Sequence, residues 1–409
     1  MEDARKVFLE SFFMPQPAIE RVSLVEALGR VLASDIVSQT ALPDFARSSM
    51  DGYAVLARDT YGATESLPAY LKVSGEVLMG EMPSMPVEKG SAIRISTGGM
   101  LPPGADAVVM LENTQRLGIG EVELSKPVAP GENVVQRGDD VEEGERILGA
   151  GHRLRPQDLG ALAGIGITKI EVCKRPTIAI INTGNEIIDA DRVPLPGQVR
   201  DVNSYNLAGL VIQSGGIPVK KGIYRDEYVA IRKAVEEAVA DSDVVAITGG
   251  SSVGTGDLTA KVINDLGPPG VLVHGVSVRP GKPVIIGIVA GKPVFGLPGH
   301  PVAVTVSFEL FILQLIKRLS GEIDQLGIAG IPQARVITAR MSRNYSSAQG
   351  REDHLRVSLE RRDGELWAVP VLGKSGLIST LVKADGTVVV PLAKTGLEKG
   401  EKVEVRLFE

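Results

Sequence analysis

The stretch TIAIINTGNE, residues 177–186, joins a short apolar run to a loop that turns on a glycine. An apolar run of this length, rich in β-branched residues and closed by a turn signal, reads as a strand. The unit then repeats along the chain. Helix-length segments SYNLAGLVIQ (204–213), DEYVAIRKAVEEAVA (226–240) and LTAKVIND (258–265) alternate with strand-length VKKGIY (219–224), DVVAIT (243–248) and PVFGL (293–297). The last strand leads into an apolar helix. This alternation predicts a central doubly wound, mostly parallel αβ sheet. Ligands of such sheets bind beyond the carboxyl ends of the strands. Three loops occupy those ends, NTGNE (182–186), TGGSSVGTGD (248–257) and LPGHP (297–301), and are expected to converge.

Backbone N–H groups freed by glycine beside a helix N-terminus make an anion cradle, so the three loops together suggest a phosphate-bearing ligand. Taken singly, each also reads as an ordinary turn between strand and helix. The long loop offers Gly249, Gly250, Ser251, Ser252 and Gly254. Arg279 and Lys282, in the proline-stiffened GVSVRPGKPV (275–284), present two cations toward the same sheet end. Two solvated charges are the plainer reading of that pair. Glu186, Asp226 and Asp257 each lie just past an expected strand. Three carboxylates beside an anion site suit Mg²⁺, although any one alone serves equally as a helix cap. The four histidines, His152, His274, His300 and His354, have no metal-ligand spacing, and His300 alone sits in a candidate loop.

Two coincidences of text carry less. GSSVG (250–254) satisfies G-x-S-x-G and would make Ser252 a hydrolase nucleophile. The loop runs on after it, however, where an elbow demands a helix at once, and no HGGG-type segment precedes it. GVSVRPGKPV resembles a P-loop, but five residues separate its glycines and Pro283 replaces the hydroxyl that would meet Mg²⁺.

The chain has 409 residues, 44% of them hydrophobic, enough for several domains with cores of their own. A net charge of −6, with Lys and Arg dispersed, argues against a nucleic-acid partner. Cys173 is the only cysteine, which fits a reducing compartment and excludes a disulfide framework within one chain. MEDARKVFLESFFMPQP (1–17) lacks a signal-peptide pattern, and VAVTVSFELFILQLI (302–316) is too short to span a bilayer, so a cytoplasmic protein with no membrane partner is expected. Residues 1–35 show helical spacing around Val7, Leu24, Leu28 and Leu32, and LRPQDLGALAGIG (154–166) is helical, with Pro156 and Asp158 suited to its first turn. Between them, short runs such as YLKVSGEVL (70–78) and DAVVMLE (106–112) read as β. Beyond 325, ARVITARM, DHLRVSLERR, ELWAVPV and GTVVVPL alternate apolar and polar residues as a small β domain does.

Set in order, SSMDGYA (48–54), IRISTGGMLPPGADAVVMLE (93–112), GENVVQRGDDV (131–141), NTGNEI, TGGSSVGTGD, RPGKP and LPGHPVA closely resemble the molybdopterin molybdenumtransferases, the family that includes the E domain of gephyrin. The resemblance runs nearly the whole chain. It implies an elongated, multidomain subunit in a homodimer. A discontinuous first domain at 1–42 and 138–174 would hold an inserted, mainly β domain at 43–137. A molybdopterin-binding αβ domain at 175–324 and a C-terminal β barrel at 325–409 would complete the subunit.

The activity implied is the last step of molybdenum cofactor assembly, in which adenylylated molybdopterin and molybdate yield the metal-bearing cofactor with Mg²⁺-assisted release of AMP. An adenylyltransferase that hands over the substrate is an implied transient partner. By motif, Asp51, Thr97 and Arg137 carry over from the first three blocks, and Glu186, Asp226 and Asp257 as acidic, metal-holding positions. Arg279, Lys282, Pro298 and Pro301 match the later loops, and Arg351 and Ser375 of the C-terminal domain are expected to face the oxyanion. Arginine stands at 279 and histidine at 300, where the family commonly has lysine and asparagine. Two other classes fit parts of the pattern. A molybdopterin adenylyltransferase acts one step earlier but normally lacks the inserted β and C-terminal domains, and a scaffold would use the fold only to bind partners.

Overall fold

The computed structural model describes residues 2–118, 120–249, 256–322 and 336–408, with Asp257 described by its backbone alone. Two compact units emerge, one of Met1–Arg21, Gly29–Ala33 and Glu171–Glu409, the other of Val22–Leu28 and Ser34–Ile170.

The smaller unit is built on strands β1 (Gly52–Val55), β2 (Ala69–Val77), β3 (Ser91–Ile95), β4 (Ala107–Met110), β5 (Thr114–Leu117) and β6 (Glu121–Leu124). They form one sheet in the order β4-β1-β3-β2-β6-β5, parallel only between β2 and β3. Tyr53, Val55, Leu71, Val109 and Leu124 close a core on it. Gly52 is required here, because a Cβ on it would stand 2.0 Å from the Val109 carbonyl oxygen. The helix expected near 154–166 spans Pro156–Gly164, with Pro156 at its start and the Asp158 carboxylate accepting the Arg155 N–H at 2.7 Å. The helical spacing read across residues 1–35 holds only for Glu2–Ser11, since residues 24–29 form turns that end on Gly29 at φ 71°.

The larger unit contains the central sheet. Strands β7 (Thr177–Thr183), β8 (Ile217–Tyr224), β9 (Val244–Thr248), β10 (Gly270–His274), β11 (Ile285–Val289) and β12 (Lys292–Leu297) lie in the order β8-β7-β9-β12-β11-β10. The first four are parallel and the last two antiparallel, so a hairpin that the sequence reading did not resolve completes one edge. Alternation along β7 divides the core. Ile178 and Ile180 meet Leu207 and Val211 of the helix Asn203–Gln213, together with Val304, Phe308 and Phe8. Ala179 and Ile181 meet Ile231 and Val235 of Tyr228–Asp241, with Val262 of Gly256–Asp265. Each buried isoleucine, leucine, valine or phenylalanine among them contributes roughly 1.5–3 kcal/mol by leaving water, and this is why helices cover both faces. The apolar run 302–316 is buried, as Pro301–Ser307, a π-helical turn Phe308–Ile312, and Leu313–Leu319. Among the described residues no helix is long and apolar enough to cross a membrane.

In the C-terminal part, β13 (Val336–Met341), β14 (Glu352–Arg362), β15 (Glu365–Pro370), β16 (Gly386–Val390) and β17 (Lys402–Leu407) close a five-stranded barrel in the order β14-β15-β13-β17-β16 and back to β14. Four of these strands match expected runs. The fifth, β17, closes the barrel. Its interior is filled by Met341, Leu355, Val357, Ala368, Val388 and Val405.

Candidate active site

Beyond the carboxyl ends of β7, β8, β9 and β12 lies a cleft of about 1680 Å³, lined also by the loops of the barrel. It gathers Glu186, Asp226, Gly249, Arg279, Lys282, Pro298, Pro301, Arg351 and Ser375 from seven separate stretches of sequence. Gly250, Ser251, Ser252 and Gly254, and with Ser252 the hydrolase reading, fall outside the described residues, as does the side chain of Asp257.

The strand ends are held by a buried polar chain. Thr248 Oγ1 donates to Asn182 Oδ1, the Asn182 amide donates to Asp201 Oδ1, and that same oxygen accepts the Ser204 N–H at 2.9 Å, at the start of the helix Asn203–Gln213. Polar groups this deep are tolerated only when bonded to one another, and the chain fixes the register of the loops that leave β7 and β9. Gly249 answers a structural need. At φ 99°, a Cβ on it would stand 1.9 Å from the Thr183 carbonyl oxygen, so the long glycine loop begins where two main chains touch.

On the acidic side Asp226 Oδ1 is buried and, among the described residues, has no hydrogen-bond partner; the same holds for Thr183 Oγ1. Burial pushes the Asp226 carboxyl above the ordinary range and the Glu186 charge adds to this, while the nearby Thr183 hydroxyl and Asn185 main chain oppose it. Two neighbouring carboxylates, one with an orphaned oxygen, are the donor set a hard divalent cation prefers. The described residues alone contain no group of three His, Cys, Asp or Glu side chains converging on a metal.

The basic side is shared between the loop 275–284 and the barrel. Asp353, 2% exposed, takes three donors on Oδ2: Tyr345 Oη at 3.0 Å, Ser347 Oγ at 3.0 Å and the Arg279 guanidinium at 3.4 Å. Arg279 is thus tethered by one edge of its fork, and half of it stays exposed. Burial, aided by the Asp353 charge, lifts the Tyr345 hydroxyl to about 12, so Tyr345 stays a donor. Arg356 is buried against the Gly373 carbonyl at 3.1 Å, and the Nε atoms of Arg351 and Arg356 are buried without a partner among the described residues. From the LPGHP loop, His300 Nδ1 lies 2.8 Å from Ser375 Oγ. Sequence reading missed Asn182, Asp201, Tyr345, Asp353 and Arg356. Asp353 shares the register of Leu355 and Val357, which fill the barrel, and so breaks the alternation of its strand, a signal visible only once the barrel interior is known.

Asp51, Thr97 and Arg137 belong to the smaller unit, where two of them meet. The Thr97 N–H and hydroxyl both donate to Asp51 Oδ1, at 2.7 and 3.0 Å. The Thr97 backbone N–H, with its hydroxyl, holds the Asp51 carboxyl below the usual range. Arg137 pairs with Glu143 at 3.1 Å.

A doubly wound sheet with a ligand-sized cleft at its carboxyl edge, roofed by a small β barrel, defines a class of multidomain α/β proteins. Three family models cover most of the chain: the MoeA N-terminal region (domain I and II) at residues 1–166, a probable molybdopterin binding domain at 179–318, and the MoeA C-terminal region (domain IV) at 338–408. A putative molybdopterin biosynthesis protein of Methanocaldococcus jannaschii is 37% identical across 100% of this chain and 98% of its own length. The molybdopterin molybdenumtransferase of Nostoc sp. is 33% identical over 95% of this chain and 89% of its own. That of Bacillus subtilis is 32% identical over 97% and 91%. Among solved structures, the molybdopterin biosynthesis MoeA protein of Pyrococcus horikoshii superposes with a TM-score of 0.84 at 39% identity, covering 100% of this chain and 98% of that one. The chain belongs to the molybdopterin molybdenumtransferase family.

Proposed function

We propose that this protein completes the molybdenum cofactor, converting adenylylated molybdopterin and molybdate to the metal-bearing cofactor with release of AMP and the help of Mg²⁺. The observation that carries the reading is the division of one cleft into a carboxylate pair, Glu186 and Asp226, and a cationic side, Arg279, Lys282 and Arg351. Relatives named molybdopterin molybdenumtransferase support it. Glu186, Asp226 and Asp257 would hold Mg²⁺, and the orphaned Asp226 Oδ1 fits that role. Bound there, the cation would neutralise charge on the oxygens of the breaking anhydride.

The chain's own groups divide the remaining work. Arg279, Lys282, Arg351 and Ser375 attract and orient molybdate. Gly249, Gly250, Ser251, Ser252 and Gly254 are assigned to the phosphates on the glycine-rich sequence of their loop. Pro298 and Pro301 stiffen the wall. Asp51 and Thr97 are assigned to catalysis, and Arg137 to substrate binding, on family likeness. On the same ground we assign the domains 1–42 with 138–174, 43–137, 175–324 and 325–409, a homodimer, a transient contact with a molybdopterin adenylyltransferase, and a cytoplasmic location. The test is to incubate the protein with adenylylated molybdopterin, Mg²⁺ and either molybdate or tungstate and to monitor AMP. Release that depends on both oxyanion and Mg²⁺ is expected; AMP formation indifferent to oxyanion overturns the assignment.

A further inference from the structure

We propose that His300 is a positioning residue that sets the direction of the Ser375 hydroxyl proton, and thereby decides whether Ser375 can donate a hydrogen bond to an oxyanion in the cleft. The inference rests on the reading of the cleft as an oxyanion site. His300 Nδ1 and Ser375 Oγ lie 2.8 Å apart. Both residues are fixed independently of that contact. The Val302 N–H donates to the Ser375 carbonyl at 3.2 Å, and the Asn203 amide donates to the carbonyl of Gly299, the neighbour of His300, at 2.9 Å. The imidazole lies beside Gly376, where an added Cβ would stand 3.5 Å from Cδ2, an ordinary contact distance. His300 sits at the N-cap of Pro301–Ser307 yet makes no side-chain cap bond to it.

A serine hydroxyl carries one proton and two lone pairs, and an oxyanion offers only lone pairs. When Nδ1 lacks a proton it accepts the one on Ser375, and the hydroxyl turns a lone pair toward the cleft. When Nδ1 bears a proton it donates to Oγ, and the serine proton is free for the anion. Oxyanion binding and a proton on Nδ1 therefore favour one another, as any two linked equilibria must. Asparagine at this position supplies a permanent N–H donor. Histidine makes the same contact conditional.

The test uses His300→Asn and His300→Asp in the full chain. The two side chains are alike in size, both cap helices well, and they differ in that only the amide can donate. Molybdate is titrated into each by calorimetry, with and without Ser375→Ala. His300→Asn is expected to bind at least as tightly as wild type and His300→Asp about tenfold more weakly or worse, the worth of one hydrogen bond to a charged ligand. In the Ser375→Ala background the two should come within about threefold of each other, as a double-mutant cycle requires if the effect runs through that hydroxyl. A ratio that persists undiminished without Ser375 means the carboxylate acts through space and overturns the proposal. Equal binding by the two single variants also overturns it. Wild-type protein that binds no molybdate is a separate result, which removes the oxyanion reading of the cleft and this inference with it.

Discussion

Asp226 and Asp51 are each one or two residues from a strand end, one in each unit, and their surroundings drive them in opposite directions. Asp51 is exposed and receives two hydrogen bonds from Thr97, which hold it as an anion. Asp226 is half-buried, faces the charge of Glu186 and keeps an oxygen without a partner among the described residues. A carboxylate supplied with donors holds its charge without a cation. One that is desolvated and left short of them carries a free-energy deficit that a cation would remove. The same contrast recurs at two further carboxylates, half-buried Glu309 in the larger unit and buried Asp158 in the smaller.

The largest effect is expected at Asp226. Asp226→Asn should cut AMP release by about a thousandfold or more, since a metal ligand supplies several kcal/mol of charge stabilisation. It should also raise the thermal midpoint, because the folded state disfavours the carboxylate relative to the unfolded chain and the amide removes that burden. Mg²⁺ should raise the midpoint of wild type and of Asp51→Asn but leave Asp226→Asn unmoved. Scanning fluorimetry with and without Mg²⁺ reads all three. A full Mg²⁺ shift in Asp226→Asn would erase the distinction between the two aspartates.

Glu309 sharpens the comparison without catalysis. It sits in the π-helical turn Phe308–Ile312, where burial pushes its carboxyl up to about 7 against the opposing charge of Arg406. The folded state therefore holds this proton more tightly than the unfolded chain, and stability falls as pH rises from about 4.5 toward 7. Glu309→Gln has no such slope. Urea unfolding should find the variant equal to wild type near pH 4 and more stable by up to about 3 kcal/mol at pH 8. Equal stability at both pH values would show that the buried carboxyl is solvated by something the described contacts omit.

Much of this was legible beforehand. Apolar runs marked the central strands β7, β9 and β12 and the final helix, because a strand buried on both faces has no choice but to be apolar, whereas the edge strand β8, with Lys220 and Lys221, was marked only by its place between two helices. The convergence of loops on the cleft came from topology, since the carboxyl ends of parallel strands lie on one side. The hairpin β10–β11 was hidden inside GVSVRPGKPV and its flanks, where prolines and glycines mask period-two alternation. Asp353 and Asp201 were illegible for a different reason. Each owes its role to partners far along the chain, Arg279 being 74 residues from Asp353 and Asn182 19 from Asp201, and no local pattern encodes such a pairing. The 24–32 stretch misled because Leu24 and Leu28 repeat at a helical interval while the chain between them turns toward Gly29.

Asp158 closes the comparison from the stabilised side, with the smallest effect. Burial alone would raise its carboxyl, but the Arg155 guanidinium, His152 Nε2 at 2.7 Å and the Arg155 N–H outweigh that and bring it down to about 2. Its contribution to stability is therefore complete above the unfolded value near 3.8 and is lost as pH falls through about 2. Asp158→Asn keeps one acceptor for the Arg155 N–H but gives up the charge that His152 and Arg155 share, so it should cost about 2 kcal/mol at pH 7. Chemical denaturation of variant and wild type at pH 7 and again at pH 3 should show the difference shrinking in acid, since at pH 3 the carboxyl is still ionised in the folded protein but largely protonated in the unfolded chain, and the gap narrows without closing. A gap that stays constant between those pH values would mean that the side chain stabilises the start of Pro156–Gly164 by its shape and hydrogen bonding rather than by its charge.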